Sequence, residues 1–389
     1  MTGETHEEAG PQGLASALVA GGALSSDWLP SFNAVPRELF VPDRIWPGIA
    51  DGTKQNPVVH RSQDPEAWHR AVYSDVPLTT QWDDGEHEGD GLGTTPSSSN
   101  SMPTMVFSML QDLDVRPGDR VLEVGTGTGW NAGLLAHRLG SANVVTVEYD
   151  PDVALGAREN LRRARVGPTV VQGDGRAGWP EGAPYDRVIA TCSLLEIPPM
   201  WLEQTAPGGI IVAPFGTEYG GELIVRLTVD DNGASGRFTR GSAFMRLRQQ
   251  RTDRPPFEDY LHGEPWPADG VRSTTTLAPP DTGGWFVQFV IGVGVPGAFW
   301  RAERYDDGAY TLWLYSRDTL SWASVDYERG HTEFEVYQSG PRKLWDEAAA
   351  AYQWWADQGR PGYERFGLTV TSEGQYGWLD SPDNPVPQH

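Results

Sequence analysis

Across 389 residues, 53 acidic against 30 basic side chains give a formal net charge of −23, which makes nucleic acid and anionic membrane surfaces poor partners and favours solubility. One cysteine, Cys192, excludes an internal disulfide and suits a reducing, cytoplasmic compartment. The length accommodates a nucleotide-binding unit plus one further domain.

Taken in order, the chain up to about Gly13 reads as disordered. Leu14 to Leu24 is small and apolar, but Glu4, Glu7 and Glu8 precede it where a signal peptide carries bases, and it is too short to span a bilayer. It is expected to form an amphipathic helix in a helix, loop, helix stretch that closes with VPRELFVP. Residues 1–80 form this N-terminal segment. Residues 81–101 follow as a loop of Asp, Glu, Gly, Thr and Ser, either a lid over a binding site or plain disorder. Met102 to Leu113 has helical apolar spacing, with Ser101 at the cap position and Pro103 in the first turn. Its methionines read as core.

Residues 102–232 carry the main motif. VLEVGTGTGWN at Val121 to Asn131 is an apolar strand running into glycines at alternate positions and then a helix whose amides face the loop. Glu148 ends the next strand about 20 residues on, where an acid can take both ribose hydroxyls. The third glycine comes too early for the dinucleotide pattern, and acidic Glu123 precedes the loop. An acid there suits the cationic ammonium of S-adenosylmethionine better than a pyrophosphate. Asp174, after the strand Thr169 to Gln172, either meets the adenine amino group or forms an Asp-Gly turn. The cofactor-binding set is thus Glu123, Gly125, Thr126, Gly127, Gly129, Asn131, Glu148, Tyr149, Asp174, Gly175 and Thr191. Strands at YDRVIATC and Ile210 to Pro214, with a short helix at Trp201 to Thr205 between them, complete a doubly wound α/β sheet. Cys192, following the apolar run Val188 to Ala190, reads as an inert buried thiol. The eight histidines show no metal-ligand spacing, so no metal is expected.

Residues 233–389 change pattern and predict an α+β domain. Strands are expected at Trp285 to Val295, Ala309 to Tyr315, Ser321 to Tyr327 and Thr332 to Tyr337. A helix over Lys343 to Asp357 and a final pair, Arg365 to Thr371 and Gln375 to Leu379, follow. Trp354 and Trp355 either pack a core or join a wall over the substrate.

The ordered set VPRELFVP, YSDVPL, NSMP, VLEVGTGTGWNAGLLA, VEYDP, GDGRAGWPEGAPYD and EIPPMWLEQTAPGG resembles protein-L-isoaspartate O-methyltransferases from about Leu14 to Gly216. The resemblance implies a Rossmann-like class I methyltransferase fold and esterification of a peptide aspartyl or isoaspartyl carboxylate. It places the family's active-site serine on Ser101, with Met102 where the family has glutamine, and substrate contacts on Ser99, Asn100, Ser101 and Met102. Ser101 reads equally as a helix cap. The inserted acidic loop and the C-terminal domain look like long variants associated with graspetide or lanthipeptide biosynthesis. That likeness implies a normal aspartate in a macrocyclic ribosomal peptide as substrate, with aspartimide and isoaspartate as products. A repair methyltransferase, a small-molecule carboxylate methyltransferase and a non-catalytic peptide binder are the other readings. The sequence leaves the oligomeric state open.

Overall fold

The computed structural model describes residues 10–48 and 57–389. The expected disorder near the N-terminus therefore falls largely outside the described residues, and the first helix, α1 (Pro11–Ala20), starts within the stretch expected to be disordered. α2 (Leu29–Ala34) and a 3-10 turn at Arg37–Phe40 follow. A small antiparallel sheet is built from β1 (Arg44–Pro47), β2 (Val59–His60), β3 (Leu78–Trp82) and β4 (Pro96–Asn100), in the order β2-β1-β3-β4, with α3 (Pro65–Val72) between β2 and β3. The segment expected as a polar loop, residues 81–101, is therefore one third strand. β3 and β4 pair as a hairpin whose register shifts at Gln81, and the connection between them is irregular apart from a 3-10 turn at Asp83–Gly85.

α4 (Pro103–Leu113) leads into the alternating unit: β5 (Val121–Val124), α5 (Trp130–Leu139), β6 (Val144–Glu148), α6 (Pro151–Arg163), β7 (Thr169–Gln172), β8 (Tyr185–Ala190), α7 (Pro199–Gln204) and β9 (Thr205–Gly216). β5 to β9 are parallel neighbours, and each crossover carries a helix or short helical turns, as parallel pairing requires. β5 is buried at every position, which is why its sequence is a continuous apolar run interrupted only by Glu123.

The expected boundary at residue 233 falls in the turn of a hairpin, because β10 (Glu222–Asp230) pairs antiparallel with β11 (Gly233–Gly241). Beyond it lie α8 (Phe257–Tyr260), β12 (Val271–Thr275), α9 (Trp285–Gly294), β13 (Ala298–Arg304), β14 (Tyr310–Ser316), β15 (Trp322–Tyr327), β16 (Phe334–Ser339), α10 (Leu344–Asp357), β17 (Phe366–Thr371) and β18 (Gly374–Leu379). The main sheet has nine strands in the order β18-β17-β11-β10-β9-β8-β5-β6-β7, so the C-terminal strands extend it. A separate antiparallel sheet has the order β12-β16-β15-β14-β13.

The run Trp285 to Val295, expected as a strand, is helix α9. Its two faces explain the misreading: Phe289 and Val290 pack with the main sheet's core, while Ile291 and Val295 pack with the five-stranded sheet. A helix buried on both sides is apolar all round and loses the periodicity that marks an amphipathic one. Trp354 and Trp355 lie in this layer, edge-on to Phe366 and Phe286 respectively. Both are partly buried and pack against the main core, and neither lines the cleft described next.

Candidate active site

A cleft of about 1080 Å³ opens at the carboxyl ends of β5, β6 and β8, between β4, α4 and the segment after β11. That is the position where open α/β sheets bind ligands. The glycine loop forms its floor. Gly125 and Gly127 have φ of +96° and +53°, a region that disfavours side chains. A Cβ on Gly125 would lie 2.9 Å from Thr191 Oγ1, and one on Gly127 3.3 Å from the Ser99 carbonyl. β4 therefore crosses directly over the loop.

Two acids meet here. Glu123 is fully buried, and its carboxylate accepts from Asn131 Nδ2 at 2.7 Å and Thr146 Oγ1 at 2.6 Å. Burial pushes its carboxyl up to about 7 against those two hydrogen bonds, and the nearby Glu148 adds to the rise. Glu148 accepts from the Gly127 N–H at 2.8 Å and the Asp150 N–H at 3.1 Å. Burial raises its pKa as well, with both N–H groups opposing. Thr126 Oγ1 lies 2.6 Å from Thr146 Oγ1, and Thr191 donates to the Gly125 carbonyl. Asn131 Oδ1 is buried without a partner among the described residues.

Of the expected cofactor residues, Glu123, Gly125, Thr126, Gly127, Asn131, Glu148, Tyr149, Gly175 and Thr191 line this cleft. Gly129 does not: it precedes α5, and a Cβ there would stand 3.4 Å from the Ala157 Cβ on α6. Asp174 does not either. Its carboxylate takes the Arg176 N–H at 2.9 Å and the Arg176 guanidinium at 2.8 Å. Burial would raise it, but Arg176 holds it below the ordinary aspartate range. In this structure it serves the turn.

Ser99, Asn100, Ser101 and Met102 all line the cleft, together with Met105 and Met109, which were expected only as core. Ser101 does not cap α4. The N-cap residue is Met102, and the first-turn Thr104 gives its N–H at 2.8 Å and its hydroxyl at 2.6 Å to Asp75. The Ser101 main chain is instead held by Arg37, whose Nη2 donates to the Ser101 carbonyl at 2.8 Å and to the Asn100 carbonyl at 3.2 Å. Arg37 Nε reaches Asn100 Oδ1 at 2.7 Å, and Asn100 Nδ2 reaches Thr128 Oγ1 in the glycine loop at 2.9 Å. Arg37 also donates to the carbonyls of Val72, Ser74 and Val76. Burial pushes the guanidinium down to about 9, which leaves it charged at neutral pH.

Sequence reasoning missed Arg37 as a site residue, although VPRELFVP contains it. The available signal was an Arg in a stretch otherwise apolar but for Glu38, since such a residue is buried only when fully hydrogen-bonded. It also missed the far wall: Glu222, Arg246, Arg248, Arg251 and Trp285. Arg248 bonds Asp150 at 2.9 Å and Asp84 at 3.1 Å, and Arg251 bonds Asp84 at 2.8 Å. Gln81 joins at 3.1 Å from Asp150. The tip of the β3–β4 hairpin is thereby latched across the end of β6.

Residues 58–250 match the model of the family described as protein-L-isoaspartate(D-aspartate) O-methyltransferase (PCMT), a match that runs past the limit at Gly216 expected from the motifs. The chain is 38% identical over 189 residues to the protein-L-isoaspartate O-methyltransferase of Methanoculleus marisnigri, covering 48% of this chain and 68% of that protein. It is 33% identical over 245 residues to the enzyme of the same name from Hyperthermus butylicus, covering 60% and 86%. A solved structure titled protein-L-isoaspartate O-methyltransferase superposes with TM-score 0.51 at 22% identity, over 95% of this chain and 100% of that one. That likeness shows the class I methyltransferase fold.

Proposed function

The chain belongs to the protein-L-isoaspartate O-methyltransferase family and is an S-adenosylmethionine-dependent enzyme; on that premise we propose that it methylates an isoaspartyl carboxylate of a protein or peptide, with Ser101 as the residue that touches it. The observation that carries this reading is Ser101 itself: it lines the cleft above the glycine loop, its main chain is fixed by Arg37, and its hydroxyl is not used to cap a helix.

The cleft suits the cofactor. Its glycines leave room that a Cβ would fill, and the orphaned Asn131 Oδ1 and the Glu123 carboxylate offer acceptors to an ammonium. Glu148, fixed by two main-chain N–H groups, would take the ribose, and Tyr149 and Gly175 would border the base. When bound, the cofactor supplies a methyl group on a sulfonium. An acceptor carboxylate is already ionised at neutral pH, so no general base is required. The protein's contribution is alignment and exclusion of water. Ser101 orients the acceptor by hydrogen bond, the methionines of α4 furnish an apolar wall, and the latched hairpin narrows access to solvent.

Ser101→Ala is expected to lower kcat by about 10- to 100-fold, the worth of a hydrogen bond to a charged group, with S-adenosylhomocysteine affinity and melting temperature unchanged. A loss of stability at full turnover would show the hydroxyl to be structural. A second reading, a normal aspartate in a macrocyclic ribosomal peptide, draws support from the β3–β4 hairpin, whose latched tip crosses the cleft and would favour a preshaped ring.

A further inference from the structure

The segment after β11 lays residues 245–247 alongside Ser193, just beyond the end of β8. The Ser193 N–H donates to the Met245 carbonyl at 2.8 Å, and the Leu247 N–H donates to the Ser193 carbonyl at 2.9 Å. This fixes Arg246 on the cleft wall, one residue from Cys192, whose sulfur lies 3.6 Å from where a Gly125 Cβ would stand. The Arg246 guanidinium lies against Gly216, with Nη2 3.5 Å from where a Cβ there would stand, and Arg246 lines the same cleft as Ser101.

One of its nitrogens is also unsatisfied. Arg246 Nη1 is buried and has no hydrogen-bond partner among the described residues. The two acids that attract it, Glu222 and Glu218, bond other groups and make no ion pair with it. Glu222 accepts from Ser242 Oγ at 2.9 Å and the Phe244 N–H at 2.7 Å. Glu218 pairs with Arg317 at 3.0 Å. A partly buried guanidinium with an unsatisfied N–H and no carboxylate in ion-pair contact among the described residues is costly unless a ligand supplies an acceptor. Burial correspondingly lowers its pKa, with Glu222 and Glu218 only partly offsetting. Its cleft neighbours Arg248 and Arg251 lack this property, since both are spent on Asp84 and Asp150.

We infer that Arg246 is the residue that binds the anionic carboxylate of the peptide acceptor, opposite Ser101 across the cleft. The inference rests on the reading that the acceptor is a peptide carboxylate. It has a kinetic signature. Methyl transfer turns the anion into a neutral ester, so a cation holds the substrate more tightly than the transition state or the product. Arg246 thus promotes capture of the acid and release of the ester, at some expense to the rate of the bound complex.

The test compares an isoaspartyl peptide with the same peptide bearing a carboxamide in place of the acceptor carboxylate. Binding is followed by fluorescence anisotropy in the presence of S-adenosylhomocysteine, alongside steady-state kinetics. The wild-type enzyme is expected to bind the acid at least about tenfold more tightly than the amide. Arg246→Met should abolish that discrimination, raise KM at least about tenfold and leave kcat undiminished, with Arg246→Lys intermediate. S-adenosylhomocysteine affinity should stay within about twofold, since the arginine faces the peptide. Unaltered discrimination in both variants would overturn the assignment, as would a parallel loss of S-adenosylhomocysteine affinity, which would give the arginine to the cofactor's own carboxylate. Should Arg246→Met not fold, Arg246→Lys with full wild-type discrimination and KM would overturn it equally. Failure of the wild-type enzyme to prefer the acid would instead refute the proposed substrate.

Discussion

Glu123 and Arg37 are buried ionisable groups with opposite consequences. The folded, cofactor-free protein keeps Glu123 protonated to about pH 7, whereas an unfolded glutamate ionises near 4.5. Between those values the folded state binds the extra proton, so this group's contribution to stability falls as pH rises from 4.5 through 7. Glu123→Gln is expected to raise stability at pH 8 by on the order of 3 kcal/mol and to add nothing at pH 4.5, as read by thermal melts. The same variant should bind S-adenosylhomocysteine more weakly at pH 8, because the ammonium loses its anion; equal melting gains at both pH values would contradict this account. For Arg37 the sign is reversed. Its donors satisfy the carbonyls of Val72, Ser74, Val76, Asn100 and Ser101, and Arg37→Met should cost about 3–5 kcal/mol in urea unfolding. A cost below about 1 kcal/mol would show that water replaces the guanidinium.

At the scale of elements, the β3–β4 hairpin is a latch rather than a staple. Asp84, on its tip, is 43% exposed while paired with Arg248 and Arg251, and ion pairs that open to water contribute about 0.2–1 kcal/mol each. That is too little to hold the fold but enough to slow opening. Asp84→Asn should speed S-adenosylhomocysteine release by about two- to tenfold in stopped flow without shifting the melting temperature, and added salt should reproduce the effect on the wild-type protein. An unchanged release rate would mean that the tip does not gate the cleft. The hairpin was invisible in the sequence because Pro96 to Asn100 is PSSSN, which offers no apolar alternation. What forms β4 is pairing with β3 and the grip of Arg37, both tertiary. Helix α9 failed for the opposite reason, too many apolar residues rather than too few. By contrast the glycine loop, Glu123 and Glu148 were legible, since backbone approach and an acid at a strand end restrict residue type locally. Asp174 shows the limit of that logic: an Asp-Gly after a strand fits a ligand contact and a turn alike, and Arg176 occupies its carboxylate here.

For the whole molecule, the sheet is continuous across the expected domain boundary. β11 pairs with β10 on one side and β17 on the other, so removing everything after residue 232 would strip the sheet of three strands and bare the apolar face of β10, with Val225 and Leu227 fully buried. The C-terminal region is thus part of the scaffold that carries Glu222, Arg246 and Trp285 to the cleft. Among the described residues no helix is long and apolar enough to cross a membrane. The site's chemistry came through in the sequence because it sits in one contiguous stretch, while its far wall is assembled from segments that meet only in the folded chain. The central claim, methylation of an isoaspartyl carboxylate, is tested most directly by kcat/KM for three synthetic substrates: a linear isoaspartyl peptide, its linear aspartyl isomer and a macrocyclic aspartyl peptide. The account predicts that the linear isoaspartyl peptide gains one methyl group with kcat/KM at least about tenfold above either other substrate. Turnover of the macrocyclic aspartate with the linear isoaspartyl peptide left unmodified would contradict it.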